Sequence, residues 1–355
     1  MLGEDHLSGN AFRRLSVLGA MVSGVLLKGS SRLSDLARSN PDHKQQASKE
    51  KQYKRWITSE HTSYSVHYLP YVKSLLETLS TQGSLVFSID GSTVGRGCMV
   101  LMLSVIYQQR AIPVVWTVVR AKKGHLPEQM HRQLLERLTE LVPSDCRVSI
   151  VGDGEYDGCD WQADIIFYGW DYVLRTGCAK LAGQDPHDIL PLKWLTPAVG
   201  ETTFTLTDAY FTHQHYGPVT ITAWHESKYK EAIYLLSNLD YPPLITQLYK
   251  KRFKIETFFS DQKSRGFNIQ RSHLNDPERL AKLLIATCLA YIFCILAGVR
   301  CQQSNLRAMV HRSDRCDLSL FTLGKAFIEL MVDWREWYPF SPDLLVNYSM
   351  TKSVR

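Results

Sequence analysis

The chain has 355 residues with 45% hydrophobic content, enough to bury one large core with smaller appendages. Its formal net charge of +6 leans mildly towards polyanionic partners without diagnosing nucleic-acid binding. Eight cysteines without a CxxC pair argue against a zinc site and describe no disulfide framework, so reduced thiols and a cytoplasmic setting are expected.

Residues 1–80 read as a helical region. Residues 12–28 and 31–38 have the look of a small helix-turn-helix-like unit broken at Gly29, Ser30 and Ser31, although an oligomerisation or linker segment would carry the same pattern. A polar, lysine-rich connection is expected over 40–54. Lys28, Arg32, Arg38, Lys44, Lys49, Lys51, Lys54 and Arg55 crowd this region with positive charge. The stretch 15–27 is interrupted by serines and glycines and lacks a small-residue cleavage context, so no secretory signal is expected.

Strand character begins at 85–90 and returns at 98–107 and 112–119. A helix opened by proline follows at 127–141, then a strand at 147–152, a helix at 160–168 and a strand at 171–175. Three strands, helix, strand, helix, strand is the order of an RNase H-like mixed sheet with flanking helices, an α/β (α+β mixed) class. Asp90 and Asp153 each follow an apolar run and precede a glycine, which places both carboxylates at strand C-terminal ends facing a common crevice. The segments 202–207, 218–224 and 232–237 form a β-rich insertion within 177–245. The loop Asp153 to Gly158 superficially resembles a calcium loop, but Asp164 stands where a bidentate glutamate belongs. His125, His213 and His215 have no convincing ligand spacing.

Tyr249, Arg252, Glu256 and Lys263 lie at steps of three, four and seven residues in a stretch of good helix formers without proline or glycine. On one continuous helix they would share a sector of roughly 60°. Ile255, Phe259 and Phe253 border this polar stripe, which leaves Lys250, Lys254, Thr257 and Asp261 for solvent and makes the stripe the edge of a cleft. Three carboxylates without histidine or cysteine suit hard oxygen-seeking cations, Mg2+ or Mn2+, rather than zinc. Around the same helix Lys250, Lys251, Arg252, Lys254, Lys263, Arg265 and Arg271 form a second basic group. Residues 283–299 run 17 positions without a charge, at the lower limit for a membrane span, and are read as a buried core helix.

The order Asp90, Asp153, Glu256 resembles the DDE triad of retroviral-integrase-like recombinases, and Tyr249-x2-Arg252-x3-Glu256-x6-Lys263 matches every fixed position of the YREK signature. That signature marks bacterial cut-and-paste insertion-sequence transposases of family four, with Phe253 standing where relatives often carry tryptophan. The resemblance spans about residues 80–300. It implies a catalytic core over 81–176 and 246–300, an N-terminal region over 1–80 that binds the transposon end, and a C-terminal helical region over 301–355 that could serve dimerisation. It further implies Asp90, Asp153 and Glu256 as catalytic metal ligands, with Tyr249, Arg252, Lys263 and Arg175 approaching DNA phosphates. The expected partners are double-stranded DNA, as terminal inverted repeats and target, and a second copy in a synaptic dimer, with no membrane involved. A hairpin on the transposon end and a nucleoid-associated bacterial setting belong to the same expectation. An RNase H-like nuclease without strand transfer, or a catalytically silent DNA-binding relative, would share many of these features. Trp194, Trp224 or neither stacks on an extruded base, and the sequence does not choose among these.

Overall fold

The computed structural model describes residues 9–39, 44–121, 126–198, 201–304, 306–312, 314–336 and 338–346. His125 and the Asn40 end of the expected connection lie outside these residues. Among the described residues five helices come first: α1 (Gly9–Lys28), α2 (Leu33–Ser39), α3 (Gln46–Thr58), α4 (Tyr64–His67) and α5 (Leu69–Ser80). Most of the stretch expected as a polar connection is thus helix α3, because Tyr53, Trp56 and Ile57 give it an apolar face to bury. Lys49 is buried on the same helix, which removes it from the solvent-facing basic group.

Ten strands form one sheet: β1 (Ser84–Val94), β2 (Cys98–Tyr107), β3 (Arg110–Val119), β4 (Arg147–Gly152), β5 (Asp171–Thr176), β6 (Leu181–Gly183), β7 (Leu190–Pro191), β8 (Thr203–Phe211), β9 (Tyr216–Trp224) and β10 (Ile233–Ser237). Their order is β3-β2-β1-β4-β5-β10-β9-β8-β6-β7. Strand β2, CMVLMLSVIY, is buried at nine of ten positions, the pattern of a strand covered on both faces. Strands β1, β4 and β5 pair in parallel, and the crossovers between them carry helices α6 (Glu128–Thr139) and α7 (Cys159–Phe167). The insertion is not a separate sheet: β10 pairs antiparallel with β5, from Tyr234 opposite Thr176 to Ser237 opposite Val173, so β8 to β10 prolong the core sheet.

After the sheet come α8 (Pro242–Arg252), α9 (Lys254–Gln262) and the long α10 (Pro277–Gln303), then α11 (Arg307–Val310), α12 (Leu320–Trp334) and α13 (Asp343–Val346). Among the described residues α10 is the one helix long and apolar enough to cross a membrane, and 89% of its most apolar stretch is buried inside the fold. It packs against α12, α1 and β3 and so forms the centre of the helical layer. The turn between α1 and α2 docks on the chain just after α9. Ser31 Oγ donates to the Asn268 carbonyl at 3.1 Å, and Asn268 Nδ2 donates to the Gly29 carbonyl at 3.0 Å.

Helices α10 and α12 meet through glycine. A Cβ on Gly324 would stand 1.7 Å from the Cys294 carbonyl oxygen, and one on Gly298 would stand 2.2 Å from that of Leu320. Backbone lies against backbone at both points, so neither neighbour can yield by a rotamer change. Gly324→Ala is therefore expected to destabilise the protein by about 1–3 kcal/mol or more through overpacking. Gly19→Ala, in open space on α1, should be neutral or slightly stabilising. Denaturant midpoints of the two variants check this, and equal midpoints would mean that the glycine crossing is not tight.

Candidate active site

Asp90 and Asp153 are brought level by strand register. In the parallel pairing of β1 with β4 the last matched residues are Ser88 and Val151, and each aspartate stands two residues further along its own strand direction. Asp153 leaves the end of β4 as expected, but Asp90 does not end its strand. It lies within β1 opposite Met102, because Gly91 to Val94 continue the hairpin with β2 after β4 has stopped. There its carboxylate, 16% exposed, lines a cleft beyond the end of β4.

The third carboxylate arrives on a broken helix. The continuous helix expected over 249–263 is two helices that meet at Phe253, where the Arg252 carbonyl accepts a hydrogen bond from Ser88 Oγ of β1 at 3.2 Å. Lys263 caps α9 with a non-helical backbone, so it leaves the shared sector. The i, i+4 contact of Arg252 with Glu256 survives the break at 2.7 Å.

Arg252 is the hub. Its Nη2 donates to Glu256 Oε1 at 2.7 Å, while Nη1 stands 3.5 Å from Asp90 Oδ2 and 3.8 Å from Asp153 Oδ2. The guanidinium is 8% exposed, whereas Glu256 is 54% exposed at the mouth of the cleft. Phe253 lies under it with 4.6 Å between guanidinium carbon and ring centroid. Burial pushes the Asp90 carboxyl up to about 7; the Asp153 and Glu256 charges act in the same direction, while Arg252 and the Gly91 amide, 2.7 Å away, pull it down. Tyr249 is fully buried, and burial holds its phenol above the ordinary range against the opposing charges of Arg252 and Arg175.

Two clefts meet at this hub. One, of 540 Å³, is lined by the three carboxylates, Ser92, Ser260 and Lys263, whose Nζ donates to Ser92 Oγ at 2.7 Å. The other, of 780 Å³, is lined by Arg175, Lys180 and Arg252 together with the carboxylates of Glu128, Asp153, Glu155, Asp157 and Glu231, and opens towards the insertion. The structure thus brings six of the seven singled-out residues to these two clefts, and Tyr249 stands buried behind them. In this arrangement the carboxylates point at Arg252 rather than at one another, and no three-ligand group of histidine, cysteine or carboxylate forms among the described residues.

Several positioning residues have no place in the sequence reading. Ser88 interrupts an apolar strand on the same face as Asp90, a period-two signal that could have marked it. Tyr156 is buried behind Gly91, its hydroxyl without a partner, and packs on His131 at 5.0 Å. It anchors the turn in which Asp153 Oδ1 accepts from the Glu155 amide at 3.0 Å. Asp261 is not solvent-facing: it is buried and paired with Arg110 of β3 at 2.8 Å. Trp224 is buried, with Lys250 above its ring at 4.9 Å, while Trp194 is 71% exposed. Of the two tryptophans, Trp194 is the exposed one.

A sequence-family model described as the transposase DDE domain matches residues 74–293, more than half of the chain. The chain belongs to this family. It is a DNA transposase, of an enzyme class that cleaves DNA and transfers strands with the help of divalent metal ions. No curated protein sequence matches the transposase. Among solved structures it is similar to the piggyBac transposase in a synaptic complex with hairpin DNA, at 14% identity and a TM-score of 0.44, covering 97% of this chain and 78% of that one. It is also similar to endonuclease V of Ciona intestinalis in complex with DNA containing an inosine followed by a ribo-adenosine, at 12% identity and a TM-score of 0.32, covering 52% and 87%. Both likenesses are too distant to transfer residues or substrates.

Asp261 supplies a pH prediction for the transposase. Burial raises its carboxyl from 3.8 to about 6 against the pull of Arg110. A carboxyl whose folded pKa is raised costs stability as pH rises through that value, because the fold favours its protonated form. Arg110→Ala removes the compensating charge, so the loss should reach about 3–5 kcal/mol at pH 8 and shrink at pH 5, where Asp261 is neutral. Denaturation of both proteins at the two pH values tests this, and a pH-independent loss would point to packing instead.

Proposed function

We propose that this transposase belongs to the cut-and-paste insertion-sequence enzymes of family four and that Asp90, Asp153 and Glu256 are its catalytic carboxylates. The observation that carries the reading is the convergence of these three side chains, from two parallel strands and a helix distant in sequence, on the buried guanidinium of Arg252. An all-oxygen donor set of four carboxylates, Asp90, Asp153, Glu155 and Glu256, against the two cations Arg252 and Lys263 leaves excess negative charge in the cleft, which fits two Mg2+ or Mn2+ ions better than zinc. When bound, such ions supply an activated water or 3′-hydroxyl and neutralise charge on the leaving oxygen.

The chain's own residues do the rest. Asp90 and Asp153 are fixed by strand register and by backbone amides, so their oxygens are presented without reorganisation. Arg252 grips phosphate through its planar fork, Lys263 adds a point charge in the first cleft, Arg175 offers donors in the second, and Tyr249 supports Arg252 from behind. The N-terminal basic helices engage terminal inverted repeats, a second copy joins in the synaptic complex, and the enzyme works on the bacterial nucleoid in the cytoplasm. Excision passes through a hairpin on the transposon end.

Asp90→Asn, Asp153→Asn and Glu256→Gln are each expected to abolish cleavage of the element's own inverted repeats while leaving end binding largely intact, because each removes a charged oxygen with little change of shape. Retained cleavage in any one variant would remove that residue from the triad. Arg252→Lys should slow single-turnover cleavage more than Lys263→Gln, since a fork fixes geometry and an ammonium supplies mainly charge. Joining of a pre-cleaved end to target DNA separates a transposase of this type from a plain nuclease.

A further inference from the structure

Helix α9 does not aim the side chain of Lys263. The residue caps the helix with φ −91° and ψ −134°, outside the helical range, so the helical repeat that places Glu256 stops short of it. Its backbone is nevertheless pinned. The Lys263 amide donates to the Phe259 carbonyl at 3.1 Å, and the Lys263 carbonyl accepts from the Asn268 amide at 2.8 Å. From that fixed backbone runs a flexible four-carbon stem, and an ammonium at its end has no preferred direction of its own. A point charge acts where it is held, and a misplacement of about 1 Å at a reacting centre costs up to about a hundredfold in rate.

The group that holds this ammonium comes from β1. Lys263 Nζ donates to Ser92 Oγ at 2.7 Å, the length of a charge-assisted hydrogen bond, and to Thr93 Oγ1 at a longer 3.4 Å. Ser92 stands two residues past Asp90, the repeat of one strand face, and lines the same cleft as Asp90, Glu256 and Lys263. The hairpin of β1 with β2 fixes it there, with Ser92 opposite Val100 and Asp90 opposite Met102. One hairpin thus sets both a carboxylate and the hydroxyl that receives the ammonium. Resting on the assignment of Lys263 to the scissile phosphate, we propose that Ser92 is a positioning residue that fixes the Lys263 ammonium in the catalytic cleft, with Thr93 as a weaker second acceptor.

The test has two readouts on the full chain. In the free protein, acetylation of Lys263 by N-hydroxysuccinimidyl acetate, followed by mass spectrometry with the exposed Lys73 as internal reference, reports whether the ammonium is held. Ser92→Ala removes the acceptor with little change of shape and should be acetylated at Lys263 severalfold faster than wild type. Ser92→Thr keeps a hydroxyl on a residue that suits a strand and should match wild type. The second readout is single-turnover cleavage of a duplex carrying the element's terminal repeat. Ser92→Ala should cleave about tenfold more slowly with end binding unchanged, the scale of a lost hydrogen bond to a charged group, and Ser92→Thr should restore the rate. In a Lys263→Gln background Ser92→Ala should cause no further loss, because the serine acts through the lysine. Equal acetylation of Lys263 in Ser92→Ala and wild type would overturn the positioning role, as would an undiminished loss of cleavage when Ser92→Ala is added to Lys263→Gln. Faster acetylation in Ser92→Ala together with wild-type cleavage by Lys263→Gln would uphold the Ser92 contact and overturn instead the assignment of Lys263 to the phosphate.

Discussion

Parallel pairing of β1 with β4 is the constraint on which the site depends. Parallel strands run their C-terminal ends to the same edge, and a shared register sets Asp90 and Asp153 side by side there. Like charges so gathered are costly: at 4 Å and an effective dielectric constant of 20, two of them repel by about 4 kcal/mol. That is comparable with a large part of the net stability of an ordinary domain, roughly 5–15 kcal/mol. A cation is therefore part of the fold as well as of the chemistry, and Arg252 is held in that place by the Ser88 hydroxyl of β1 donating to its carbonyl, an aromatic face and a helix break.

The local parts of this arrangement were legible in the sequence. An acid after an apolar run and before a glycine is a short-range pattern, and it located Asp90 and Asp153; the spacing of Tyr249, Arg252, Glu256 and Lys263 is equally local. What the sequence hid depends on distant partners. The break at Phe253 has good helix formers on both sides, and the hydroxyl that engages it belongs to Ser88, 164 residues earlier. Asp261 reads as a surface charge because its partner Arg110 lies 151 residues away. The continuation of β1 past Asp90 is set by its pairing with β2, which outweighs the glycine at 91.

Charge counted along the chain differs from charge available in space. Lys49 is buried, Lys54 pairs with Glu50 at 2.8 Å, and Lys250 is engaged by Glu226 at 2.6 Å. The basic clusters that the composition shows are thus partly consumed within the protein, and the modest net charge of +6 conceals which cations face a partner.

The direct hydrogen bonding of β10 to β5 has a mechanical consequence. A module joined by a linker can pivot and sample orientations, whereas a strand ladder is stiff in its own plane and yields mainly by twisting. Anything gripped by the β8 to β10 half is therefore carried in a fixed frame relative to Asp153, like a jaw cast in one piece with its anvil. Positional error between grip and chemistry is then set by sheet elasticity, and an edit that lengthens β10 or alters its register would offset the two by whole residue steps of about 3.4 Å.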